Sequence, residues 1–291
     1  MAVPRIEQAD GVLGFSWATP DGAPARLADL LDLPGAEPHR WLPTHLEALD
    51  DVLIEVTSAY GEVLGGGRPA LPEEKDGLGR AYVVIDRAVL EYGRAAALAT
   101  SDHGVLPDLR GGQILGTAHL VGVRARYALG LAGAPPFEGE LDTPGPGMVG
   151  GFAGMHWVDG HEGGTEPWRG ARWLVVTEDG RRLPASLSML LHDSSGVDKD
   201  ATLREHREAL RAVTTAVEPA AGLVPPGGEF AAAGAVDWLL FDWVMAHRDA
   251  ESGAGVEIRS GKVEDATMIV AAATASVAVR ARFDPALLPV R

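Results

Sequence analysis

The densest concentration of reactive side chains lies in Gly145–Gly170, GPGMVGGFAGMHWVDGHEGGTEPWRG. His156, Asp159, His161 and Glu162 are each able to move a proton or ligate a metal. Glycines around them let a backbone approach a ligand closely. The spacing narrows the chemistry. His156 and His161 stand five residues apart, which is not the four-residue step of an H-E-x-x-H zinc helix. Nor is there the H-x-D of a facial triad, so no metal site is assigned. One reading is acid–base work, with His156 or His161 as base or ligand and Asp159 orienting it. The competing reading is a structural loop whose tryptophans plug a gap and whose histidines face water.

His192 joins this set. It ends an expected strand directly before Asp193-Ser194-Ser195-Gly196, where a rigid scaffold meets an open loop; Asp193 and Ser194 equally suit a turn. The catalytic candidates are therefore His156, Asp159, His161 and His192. No G-x-S-x-G elbow accompanies the serines, so nothing specific points to a serine hydrolase. His119 sits in a small-residue helix with Gly116, Ala118 and Gly122, a setting that admits either an axial haem ligand or, more simply, a close helix crossing. The cofactor stays unknown. His39, His45, His103, His206 and His247 are scattered. His247 near a helix end fits the dipole. Asp50-Asp51 and Glu73-Glu74 read as surface charge.

Gly111-Gly112-Gln113 suits a helix-opening anion site but is neither a Walker A nor a dinucleotide fingerprint. A helix opened by Gly-Gly-Gln and followed by strands, with Asp237-Trp-Leu-Leu-Phe ahead of a final β run, resembles the hot-dog domains of acyl-CoA thioesterases. The strand count falls short of that fold and the first 100 residues have no counterpart in it, so no family is assigned.

These residues need elements to hold them. Val12–Trp17 reads as a short strand and Ala25–Leu33 as a short helix. A helix is expected from Thr44, with Thr44 and Glu47 as a capping box and Leu46, Leu49, Leu53 and Val56 inward, ending at Gly65-Gly66-Gly67. Further helices are expected over 79–99, with a strand at Ala81–Ile85 ahead of a helix as the alternative, over 108–131 and 201–217, and over 229–247, where Asp237-Trp-Leu-Leu-Phe could instead begin a strand. Residues 65–78 read as a linker, and 133–170 as a long Gly/Pro segment ordered by Trp157, Trp168 and nearby Trp173. Arg172–Thr177 and Leu183–Leu191 read as a hairpin around Asp179-Gly180. Thr267–Phe283 alternates Val277, Val279, Ala281 and Phe283 with Ser276, Ala278, Arg280 and Arg282, which is the period of a half-buried strand. The expected fold class is α+β: a helical N-terminal half and antiparallel strands in the C-terminal half. One domain is expected over 1–291, with a helical subregion 44–132 and a β-containing subregion 150–291. No repeat of 20–50 residues is visible.

The 291 residues can bury a substantial core, and 46% hydrophobic with 23% charged residues is the balance of a globular chain. A net charge of −16 argues against a nucleic-acid partner. The absence of cysteine removes disulfides, thiolate metal sites and a cysteine nucleophile. With no signal peptide or membrane-length run evident, a cytoplasmic, bacterial acidic protein without membrane contact is expected, the excess of arginine over lysine suggesting a GC-rich genome. Two functions follow as expectations: a small-molecule enzyme with a pocket lined by 145–170, acyl-thioester or aromatic substrates being favoured over sugars, or a structural homo-oligomer such as a phage-like shell or injection-apparatus component.

Overall fold

The computed structural model describes residues 3–8, 14–65, 69–131, 152–157, 171–176, 182–191, 197–220, 229–251 and 263–284. In chain order these form β1 (Arg5–Gln8), β2 (Phe15–Ala18), β3 (Pro24–Ala25), α1 (Leu27–Leu31), α2 (Pro38–Leu64), α3 (Pro72–His103) and α4 (Leu109–Ala128). There follow β4 (Phe152–Trp157), β5 (Ala171–Val176), β6 (Arg182–Ala185), α5 (Leu187–Leu191), α6 (Lys199–Ala220), α7 (Glu229–Glu251) and α8 (Val263–Phe283). Two compact units result. Unit 1 comprises residues 1–132 and 261–291, and unit 2 comprises 133–260.

In unit 1, β1, β2 and β3 form an antiparallel sheet in that order, and α2, α3, α4 and α8 pack on one another. Local chemistry sets the helix ends. Proline opens both α2 and α3, where a missing N–H costs no bond. The Glu74 carboxylate accepts the Leu71 N–H at 2.8 Å, so this acid caps a helix in addition to carrying surface charge. Gly104 ends α3 in the left-handed region at φ 66°. Asp108 caps α4 by accepting the Gly111 N–H at 2.7 Å. Thr44 does not start a helix: α2 begins six residues earlier, and the Thr44 hydroxyl donates to the Arg40 carbonyl inside it.

The C-terminal half is not a strand half. The chain is mostly helical, with a second small antiparallel sheet, β4-β5-β6, in unit 2. The expected second hairpin strand stops at Ala185, and residues 187–191 are helix α5. Residues 267–283 belong to helix α8. The alternation misled because α8 packs against both α3 and α4. The wetter positions of α8, Thr267, Ala271, Thr274, Ala278 and Arg282, do recur at helical steps, but small residues fill most of them while the polar Ser276 and Arg280 are buried, so residue type does not mark the helical face. The alanines of the run favour helix intrinsically. By length and composition Asp265–Phe283 would also cross a bilayer, and here it is a core helix.

Candidate functional site

Of the sequence candidates, His156 lies on β4, in register with Arg172 of β5. Asp159, His161, Glu162 and His192 lie outside the described residues. His119 is buried on α4. The small residues around it serve close packing: a Cβ on Gly112 would stand 2.8 Å from the Ala266 Cα of α8, and one on Gly122 would stand 3.2 Å from the Asp86 carboxylate.

Two histidines that looked unremarkable in sequence organise the cores. In unit 1 the Trp17 indole N–H donates to His45 Nδ1 at 3.0 Å, and His45 Nε2 lies 2.9 Å from the Ala88 carbonyl. Accepting at Nδ1 places the proton on Nε2, which donates to Ala88. In unit 2 the Trp173 indole donates to His206 Nδ1 at 2.8 Å, and His206 Nε2 donates to the Leu239 carbonyl at 2.8 Å. Burial pushes both imidazoles down to about 4, so both are neutral near pH 7. Each ring uses both nitrogens inside the protein. They join strand, helix and helix, and have no nitrogen left for substrate.

The match between these two relays extends along the chain. Trp17 is in register with Ala25 and Ile6, and Trp173 with Ala185 and Met155. Each sheet leads into a short helix through the same pattern, Pro24-Ala25-x-Leu27-x-x-Leu30-Leu31 and Pro184-Ala185-x-Leu187-x-x-Leu190-Leu191. An acid on the second long helix caps that short helix: Leu27 N–H donates to Glu91 at 2.6 Å, and Leu187 N–H donates to Asp242 at 2.8 and 2.9 Å. The histidines sit in His45-x-Glu47-Ala48-Leu49-x-x-Val52 and His206-x-Glu208-Ala209-Leu210-x-x-Val213. The fourth helices share Val121-x-Val123-Arg124-Ala125-Arg126-Tyr127 and Val277-x-Val279-Arg280-Ala281-Arg282-Phe283. The chain is thus two copies of one β-β-β-α-α-α-α module, the second copy's last helix, α8, belonging to unit 1.

Where the copies differ, the differences are informative. In unit 1 the buried Asp86 carboxylate takes Arg280 at 3.2 Å and Arg126 at 3.5 Å. Arg126 also lies over the Tyr82 ring. Burial, then the neighbouring Asp86 charge, pushes the Tyr82 phenol up to about 12. This cluster is enclosed and holds α3, α4 and α8 together. In unit 2, the Arg207 guanidinium carbon lies 5.5 Å from the centre of the Trp243 ring, and the ring of His247, four residues further along α7, is centred 4.6 Å from it. The aligned positions in the first copy are Leu46, Tyr92 and Ala96, all buried.

Comparisons of this chain with protein-family models, known proteins and solved structures find no match. Among the described residues, no three His, Asp or Glu side chains gather as a metal site would require.

Proposed function

We propose that the chain is a small-molecule enzyme on a duplicated scaffold, with its reactive groups in the connection between β4 and β5. One observation carries this reading. The first copy links the equivalent strands β1 and β2 through residues 9–14, whereas the second uses residues 158–170 between strands of matching register. The longer connection brings Asp159, His161, Glu162 and Trp168, directly after His156 and Trp157. A scaffold fixed by duplicated packing leaves such added length free to carry chemistry.

The reaction this residue set suits is hydrolysis of an aromatic acyl-thioester. A histidine, His161 or His156, takes a proton from water while the water oxygen bonds to the acyl carbon. The carbon–sulfur bond then breaks, and the proton passes to the leaving thiolate. Asp159 orients the imidazole, and the tryptophans offer faces for an aryl group.

Benzoyl-coenzyme A tests this with a thiol reagent, since the cysteine-free chain contributes no thiol of its own. Turnover is expected. His161→Ala should lower it by about a hundredfold, and replacing 158–170 by the Ala9–Gly14 sequence should abolish it at unchanged Tm. Full activity in both variants would overturn the reading. A large multi-subunit particle with no turnover would favour the structural homo-oligomer instead.

A further inference from the structure

We propose that the face of the β4-β5-β6 sheet turned away from α6 binds the phosphates of a coenzyme A-type ligand at His156, Arg172 and Arg182. Register and pleat place these positions together. Trp173 and its β6 partner Ala185 are buried, and the Trp173 indole reaches His206 of α6, so that face of the sheet packs on the helices. Successive positions along a strand fall on opposite faces. Arg172 directly precedes Trp173 and is in register with His156, and Arg182 is in register with Val176. Positions 156, 172 and 182 therefore share the other face. Opposed Cβ atoms in an antiparallel pair stand about 5 Å apart, close enough for one phosphate to serve 156 and 172 together. The Arg182 register position lies four residues further along β5, about 13 Å away, which suits a ligand with a second, separate phosphate.

Duplication singles this face out. In the first copy the equivalent register pair is Glu7 and Ser16, and Gly22 stands where Arg182 does, three residues before the matching alanine. Glu7 there is paired with Arg5 at 2.8 Å. The second copy has a basic residue at all three positions, and no residue of β4, β5 or β6 is acidic, in a chain of net charge −16. The sheet does not need them, since the first copy closes the same register without them. Basic residues opposed across a ladder do not attract one another, so the pair has its use in an anion. A guanidinium gives phosphate two parallel N–H bonds, and an imidazole adds a third donor. Coenzyme A carries phosphate at two separated places, its diphosphate and its 3′-phosphate. The choice of carrier rests on the thioester reading, and within that reading His156 holds phosphate and His161 takes the proton from water.

The test is isothermal titration calorimetry of the full chain with coenzyme A, 3′-dephospho-coenzyme A and pantetheine. Coenzyme A is expected to bind saturably, the dephospho form at least about tenfold more weakly, and pantetheine not at all. Arg172→Ser, which installs the first copy's residue, and Arg182→Ala should each raise Kd at least about tenfold. Removing an exposed arginine of α6 by Arg204→Ala should leave Kd unchanged. The three ligands on the wild type decide the matter even where a variant does not fold. No binding of coenzyme A, equal affinity for pantetheine, or an equal loss in Arg204→Ala overturns the proposal. The hydrolase reading fails separately. Phosphate-dependent binding weakened by Arg172→Ser, with no turnover of benzoyl-coenzyme A, keeps this site and removes the reaction. Turnover with KM unchanged in Arg172→Ser and Arg182→Ala keeps the reaction and removes this site.

Discussion

The two buried histidines make stability fall in mild acid by an amount that the structure sets. Both imidazoles are fully enclosed, and burial lowers each from 6.5 to about 4. The unfolded chain therefore binds protons that the folded chain refuses, so their contribution is present above 6.5 and is lost as pH falls toward 4. At about pH 5 roughly 97% of each imidazole is protonated when unfolded and about a tenth when folded. The corresponding free energy is RT ln of about 30, or about 2 kcal/mol per histidine and about 4 kcal/mol for the pair. Near pH 7.5 the same expression is close to zero. Glutamine at position 45 or 206 can still accept from the indole and donate to the carbonyl, but it does not titrate. Urea unfolding of wild type, His45→Gln, His206→Gln and the double variant near pH 7.5 and pH 5 isolates the effect, since every other titrating group is common to all four. The wild type should lose about 4 kcal/mol more than the double variant between the two pH values, and each single variant should recover about half of that difference. A difference between wild type and double variant that stays flat to within about 1 kcal/mol would refute the reasoning.

Glu91 titrates in the opposite sense. Burial, offset in part by the Leu27 N–H bond, pushes it up to about 7, so its contribution to stability lies below 4.5 and is lost as pH rises through 7. Glu91→Gln keeps the acceptor for Leu27 and should gain about 1–2 kcal/mol over wild type above pH 8, allowing for the solvent that still reaches the side chain, with no gain near pH 4.5 by the same urea assay. Gly112→Ala should lower Tm despite alanine's better helix propensity, because the new Cβ meets the Ala266 backbone at 2.8 Å. The overpacking costs about 1–3 kcal/mol against the roughly 1 kcal/mol gained from propensity, and a raised Tm would show that α4 and α8 separate freely.

The sequence by itself determined most of the helices. Leu46, Leu49, Leu53 and Val56 repeat at helical steps because α2 has one buried face, and Asp108 marks the start of α4 because its side chain caps there. The hairpin at Trp173 was also legible from the Asp179-Gly180 turn signal, and β5 pairs with β6, though the second strand ends at Ala185 and not at Leu191. The duplication was written in Pro-Ala-x-Leu-x-x-Leu-Leu and His-x-Glu-Ala-Leu-x-x-Val. The matching residues lie about 150–160 apart, at offsets that shift wherever a connection changes length, which no scan at short period detects. Only the tertiary structure decided that 267–283 is helix, because packing against α3 and α4 buries the polar Ser276 and Arg280 while small residues such as Ala271 and Ala278 take the wetter face, so residue type no longer reports the period. It also decided the roles of His45 and His206. A helical histidine looks the same in sequence whether it faces water or a tryptophan 28 or 33 residues away. The same holds for Asp86 and Arg280, 194 residues apart in the chain and joined through one carboxylate oxygen. Local pattern encodes which face of an element is apolar, whereas the pairing of one buried polar group with another depends on which elements meet, and that is fixed only when the helices pack.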